Sequence, residues 1–285
     1  MIGFCTDSNA QMPVELVQRY GVEVVPLTVT IDGEAFLEGV DLDADAFYAR
    51  FAAGAAPAVT TAAPGPGLFA AAYETLAVRG ATEILSVHIG SSISATLNAA
   101  WVGAQSSPVP VRLVDTGTAS FAVTCCVWEA AQAVVSGAGL EDAAHVAERV
   151  AKLIDNVFVV RALDLVRGGG RLRVATEQTF EPEETIEGEA IPVLRLEGGT
   201  VQPVSQVRTV EEAAGVMASA VRAGGSNLRV GISIADAGAS ALWRALEEQL
   251  RGAGEVADLV RYRVGPSVGV HTGPGTAGAM WYPAL

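Results

Sequence analysis

Cysteine is scarce in this chain. Cys5, Cys125 and Cys126 are the three in 285 residues, too few for a disulfide framework. Cys125 and Cys126 are adjacent, and a bridge between neighbours would be strained. All three read as small buried residues of a reducing compartment. Histidine is as sparse: His88, His145 and His271 are scattered, with no C-x-x-C or H-x-x-x-H spacing, so neither a metal site nor a cofactor is expected. Bases are outnumbered, 18 against 32 acids for a net charge of -14, which argues against nucleic acid as a partner. No apolar run approaches the roughly 20 residues of a membrane-spanning helix, so no membrane insertion is expected. The opening MIGFCTDSNAQMP lacks a basic n-region and an apolar h-region and predicts no signal peptide. An acidic, apolar, soluble protein of this kind is expected in the cytoplasm.

What is present is apolar surface, in half of the residues, enough to fill one large or two medium domains. The first part alternates strands and helices. Ile2 to Cys5 is a short apolar run ending at Thr6-Asp7-Ser8, and a helix starts near Pro13. Val22 to Ile31 reads as a strand, followed by a hairpin or loop. DADAFYARFAAG reads as an amphipathic helix with Asp43 or Asp45 near its N-cap. Thr60 to Gly67 reads as a loop before a helix over 68–79. EILSVHI and VRLVDT read as buried strands, with helices near 119–136 and 140–152. This alternation predicts a mostly parallel, Rossmann-like sheet. Beyond Asp155 the pattern changes to strands NVFVVRAL, PVLRLE and TVQPVSQV, a helix near 209–223, strand RVGISIA, a helix near 239–252, and strands VADLVRYRV and SVGVH. The fold class expected is therefore α/β in two domains. Residues 1–155 carry the parallel sheet, and 156–285 form an α+β unit with a mixed or antiparallel sheet.

GVHTGPGTAG, residues 269–278, contains the spacing G-x-G-x-x-G. A dinucleotide fingerprint must open a helix and return to a second parallel strand. Only Ala279 to Leu285 follow Gly278, so the unit cannot close. Two readings remain: His271 and Thr272 at the start of a helix that receives an anion, or a tight turn that needs glycine for its backbone angles.

Ligands of an α/β sheet sit outside the carboxyl ends of its strands. Those ends carry hydroxyls here: Thr6-Asp7-Ser8, then Ser91, Ser92, Ser94 and Thr96 after EILSVHI, and Thr116 after VRLVD. Thr60 and Thr61 precede the third helix, and His271 and Thr272 follow the last strand. Each hydroxyl alone suits a helix cap; the clustering points to a site. Ser94 with His271 and Asp7 or Asp115 would make a nucleophilic triad, although no G-x-S-x-G elbow is present. The competing reading is capture of a carboxylate by neutral donors. There is no P-loop, so phosphoryl transfer by this chain alone is not expected.

Several stretches, in order, carry a resemblance. TDSNAQMP resembles T-D-S-T-A-D-L-P, and VVPLTVTIDGEAFLEGVDL resembles V-P-L-x-V-x-x-D-G-x-x-Y-x-D-G-x-D. TAAPGPGLF and SVHIGSSISATLNAA fall on T-S-Q-P-S-P-G-x-F and S-I-H-I-S-S-x-L-S-G-T-Y-x-S-A. VRLVDTGTAS, Gly169 to Arg171 and VHTGPGTAG fall on V-x-V-I-D-S-x-x-A-S, K-G-G-R and H-T-G-P-G-T-x-G. These are motifs of the DegV family of bacterial fatty-acid-binding proteins.

The resemblance implies two α/β domains with a long-chain fatty acid between them and its acyl chain buried in the first. It implies lipid binding without catalysis. The carboxylate would be held by Thr61 and Ser94 and closed over by His271; the strand-end cluster adds Ser91, Thr60 and Thr272 as candidate ligand contacts. In this family the arginine of G-G-R, here Arg171, lies on the side offered to a fatty acid kinase; Arg167 and Arg173 share its loop. The chain departs from the family at Ala62, Ala63, Gly90 and Ala95. An acidic segment, Glu177, Glu181, Glu183, Glu184, Glu187 and Glu189, replaces apolar and basic residues. The runner-up is a serine hydrolase of acyl esters acting through Ser94 and His271.

Overall fold

The computed structural model describes residues 1–53, 56–160, 173–174, 190–197 and 200–285. The chain opens with β1 (Ile2–Asp7), a 3-10 turn (Ser8–Ala10), α1 (Val14–Tyr20), β2 (Glu23–Val25), β3 (Thr28–Ile31), β4 (Glu34–Leu37) and α2 (Ala44–Ala49). It continues through β5 (Val59–Ala62), α3 (Pro66–Val78), β6 (Glu83–His88), α4 (Thr96–Ala104), β7 (Val111–Asp115), α5 (Phe121–Val135) and α6 (Leu140–Ala151). Then come β8 (Asp155–Val159), β9 (Arg173–Val174), β10 (Ile191–Glu197), β11 (Thr200–Val207), α7 (Val210–Ala223) and β12 (Leu228–Ile234). The last elements are α8 (Ser240–Leu250), β13 (Val256–Arg263), α9 (Pro266–Thr272) and β14 (Ala277–Pro283).

Two compact units result. The first comprises Met1–Asp43, Ala56–Ile154 and Gly265–Ser267; the second comprises Ala44–Ala55, Asp155–Val264 and Val268–Leu285. In the first unit a parallel sheet has the order β2-β1-β6-β7. Its two central strands are almost continuously buried, as expected of parallel strands covered on both faces. Phe69, Tyr73 and Leu76 of α3 and Ala100 of α4 pack with Cys5 and Ile84 of the sheet. α5 is buried from Phe121 through Ala131, the mark of a helix that is apolar all round. Cys5, Cys125 and Cys126 are buried and unbridged, as read from their scarcity. The chain leaves β1 toward β2 on one side and returns through β6 on the other. The order therefore switches between β1 and β6, where open α/β sheets place their ligands. A small antiparallel sheet, β4-β3-β5, completes the unit.

The second unit is built on a mixed sheet of order β13-β12-β14-β8-β10-β11-β9, antiparallel except at β12–β13 and β11–β9. Met217 and Val221 of α7 and Leu242 and Leu246 of α8 cover it, packing with Val230, Ile232 and Trp281. α7 begins with a full capping box between Thr209 and Glu212, which satisfies two otherwise unpaired N–H groups. Among the described residues no helix is long and apolar enough to cross a membrane.

Two local expectations are corrected. Ser267 to Val270, read as a strand, lies inside helix α9; a short apolar run does not distinguish strand from helix by period. Pro266 opens that helix, a position that suits proline because no N–H is needed there. His271 and Thr272 therefore end a helix rather than start one, and the anion-receiving reading of that turn falls. Thr60 and Thr61, read as loop, belong to β5, where Thr61 pairs with Val29.

Candidate functional site

The chemistry of the first unit gathers at the β1–β6 switch. Ser86 and His88 stand two residues apart on β6 and so share a face; both are fully buried, as is Asp7 at the end of β1. A buried polar group must find partners, and these find one another. His88 Nδ1 lies 2.9 Å from Asp7 Oδ2, and His88 Nε2 lies 2.6 Å from the Ser86 hydroxyl. Ser86 meets the Tyr73 hydroxyl at 2.9 Å. Asp7 also accepts the N–H groups of Asn9 at 3.2 Å and Ile89 at 3.1 Å. One carboxylate thus ties the loop after β1 to the loop after β6. Asn9 extends the tie by accepting the N–H of Ser120, and the Thr116 hydroxyl donates to the carbonyl of His88 at 2.8 Å.

This network fixes the loop that carries Ser91 and Ser94. The Ser91 hydroxyl donates to Asp115 Oδ2 at 2.5 Å and its N–H to Oδ1 at 3.0 Å, with Gly117 N–H also on Oδ1 at 3.0 Å. Burial would raise the Asp115 carboxyl, but these three donors hold it below the ordinary carboxylate range. Ser94 is half-buried. Its hydroxyl lies 2.8 Å from that of Thr96 and accepts the Thr96 N–H at 3.3 Å, at the start of α4. It bonds the first residue of α4 from the loop after β6, beside the switch point. Thr61 is half-buried on β5 and Thr60 is exposed; successive strand residues face opposite ways, so the two threonines do not share a face.

In the second unit, His271 and Thr272 lie on the last turn of α9. The Thr272 hydroxyl donates to the carbonyl of Val268 at 3.3 Å, within the helix. Gly273 N–H closes the helix on the carbonyl of Gly269 at 2.8 Å. Arg167 and Arg171 and the six glutamates from Glu177 to Glu189 lie outside the described residues, as does the side chain of Arg173.

The triad weighed from the sequence loses its acids: Asp7 is taken by His88 and Asp115 by Ser91. An Asp–His–Ser row does exist, as Asp7–His88–Ser86, but it is sealed from solvent. Sequence reasoning missed it, although a signal was there. Two polar residues two apart inside an otherwise apolar strand must be paired within the core. Glu38, Gln11 and Ser267 were also missed; they meet across 229 and 256 positions, a separation no local pattern spans.

A model of the DegV family, described as an uncharacterised protein family, matches residues 1–284. A DegV domain-containing protein of Streptomyces coelicolor is 36% identical over 290 residues, spanning 98% of this chain and 97% of that protein. Another, of Halalkalibacterium halodurans, is 30% identical over 286 residues, spanning 99% and 98%. A solved structure of a DegV family protein from Thermus thermophilus, described by its fatty acid binding, superposes with a TM-score of 0.86 at 30% identity over 99% of each chain. A Thermotoga maritima protein, described as revealing a fatty acid binding function, superposes with a TM-score of 0.82 at 26% identity over 99% of each chain.

Proposed function

The chain belongs to the DegV family, and on that premise we propose that it binds a long-chain fatty acid, holding the carboxylate with Thr61, Ser94 and His271. The observation that carries this reading is the likeness, over 99% of each chain, to the Thermus thermophilus protein described as fatty acid binding. The hydroxyl-rich loop at the sheet's switch point supports it. Neutral donors orient a carboxylate without burying an unpaired cation. An acyl chain of about 15 methylenes at roughly 0.8 kcal/mol each offers on the order of 12 kcal/mol before ordering costs, so the headgroup need only orient. Ser91, Thr60 and Thr272 are given no direct role in this reading, since two donate elsewhere and Thr60 faces away from Thr61. The protein is a carrier in this reading, and Arg167, Arg171 and Arg173 are the residues that a fatty acid kinase would meet.

The test is a titration with a labelled long-chain fatty acid. Ser94→Ala and Thr61→Ala should each weaken binding by about 1.5–3 kcal/mol, the worth of a hydrogen bond to a charged group, with circular dichroism unchanged. Parental affinity in both variants would remove these residues from the site. A fluorophosphonate probe should leave Ser94 unlabelled; stoichiometric labelling there would restore the hydrolase reading.

A further inference from the structure

Glu38 is a buried carboxylate, 6% exposed. Its Oε2 accepts the Ser8 hydroxyl at 2.5 Å, and its Oε1 accepts the N–H of Ser267 at 2.8 Å and the Gln11 amide at 3.4 Å. These partners are all neutral, and burial pushes the Glu38 carboxyl above its ordinary range despite them. Gln11 accepts the N–H of Gly265, and its amide also donates to the Ser8 carbonyl at 3.0 Å and the Ser267 hydroxyl at 3.3 Å. Asn9 reaches the same hydroxyl at 3.3 Å.

Side chains from the loop after β1 and from the end of the β3–β4 hairpin therefore converge on three residues, Gly265 to Ser267. Those three count with the first unit, while the chain on either side counts with the second. They are also where α9 begins. Pro266 has no N–H, so the N–H groups left open at this helix start include those of Gly265 and Ser267, and the cluster takes both. A helix of seven residues is too short to hold itself; its packing, with Gly269 close against Phe47 and Tyr48, and its two ends hold it. One end is the Gly273 closure already described. The other is Glu38. His271 follows Ser267 by four positions, about one turn along the helix.

We infer that Glu38 is a positioning residue for His271: its bond to Ser267 pins the first turn of α9, and the helix hands that placement to the imidazole at its far end. The inference rests on the proposed role of His271 at the carboxylate, and it predicts a consequence that can be read without any fatty acid.

Glu38→Leu removes the acceptor. Glu38→Gln keeps a carbonyl oxygen for the Ser267 N–H and is the rescue. Ser267→Pro deletes the donor N–H and the hydroxyl that Asn9 and Gln11 meet, in a first turn that tolerates proline, and adds a ring that restrains Pro266; it serves where Glu38→Leu does not fold. In ligand-free protein, Glu38→Leu or Ser267→Pro should speed hydrogen exchange across 268–272 by about tenfold or more, as expected for a local opening, while β6 keeps its protection. The imidazole Cε1–H signal of His271, assigned by its loss in His271→Ala, should shift in both variants and return in Glu38→Gln. With fatty acid, Glu38→Leu should weaken binding by no more than His271→Ala does, and the double variant should be no weaker than His271→Ala, since both changes act on one interaction. An unmoved His271 signal overturns the inference, as does weaker binding with that signal unmoved. If His271→Ala binds like the parent, the carboxylate reading fails, and the exchange and His271 signal alone decide whether Glu38 places the imidazole.

Discussion

At the scale of single residues, position 90 shows how a departure from the family pattern is accommodated. The family motif places serine where this chain has Gly90. A Cβ there would stand 2.7 Å from the backbone carbon of Gly117 and 2.8 Å from its Cα, and Gly90 N–H donates to the carbonyl of Thr118 at 2.8 Å. Backbone cannot retreat as the tip of a flexible side chain can. Gly90→Ser should therefore destabilise the first unit by about 1–3 kcal/mol, the usual cost of overpacking, seen as a lower urea midpoint. It should also loosen the loop that holds Ser91 and Ser94, so fatty acid affinity should fall with stability. A Gly90→Ser protein as stable as the parent would mean that the loop after β7 yields. Asp7 works at the same scale in the opposite sense. With Asn9, His88 and Ile89 on one carboxylate, it decides where two loops sit without facing solvent.

At the scale of elements, the glycine-rich stretch that invited a dinucleotide reading is a helix end running into a strand. Gly273 has φ of 72°, the left-handed conformation that ends helices and that a side chain opposes. Gly273→Ala should cost about 1–2 kcal/mol, measured as a lower urea midpoint of the second unit, and should fray the turn holding His271. No change would mean that α9 does not depend on this closure. This element also marks the limit of sequence reading. The central strands and the long helices α5 and α6 were legible because a buried parallel strand, a long apolar helix and a strongly patterned helix announce themselves over many residues. SVGVH was not, because five residues with two valines among them carry no usable period. What makes them helical is a proline at the first position and acceptors supplied by Gln11 and Glu38 from more than 200 positions away. The hydroxyl cluster at the strand ends was legible for a related reason: strand ends follow from strands. The buried row Asp7–His88–Ser86–Tyr73 needs the strand order, which sequence does not print.

At the scale of the whole molecule, the excess of acids sets a pH dependence with two opposing parts. Burial would raise the Glu247 carboxyl, but Arg261 and Arg251 hold it low. Asp115 is held low by Ser91 and Gly117, and Glu212 by the N–H groups of Arg208 and Thr209. A carboxyl lowered in the folded state adds stability above its unfolded value, and that stability is lost as pH falls through the folded one. These groups together make acid destabilising. Glu38 runs the other way. Its folded value is raised by burial above the ordinary 4.5, so its contribution is complete below that value and is lost as pH climbs through the raised one. Glu38→Gln mimics the protonated form while keeping the acceptor for Ser267. The stability of Glu38→Gln relative to the parent should therefore grow as pH rises from about 4.5 through the raised value of Glu38, and level off beyond it. Urea unfolding followed by hydrogen exchange of β1 and β6 reads the first unit alone and avoids assuming that both units unfold together. Parallel pH profiles for the two proteins would mean that Glu38 titrates alike folded and unfolded, and that its burial carries no charge penalty. A gap that opens with pH, in a variant that still holds His271 in place, would separate what the carboxylate does as an acceptor from what it costs as a charge.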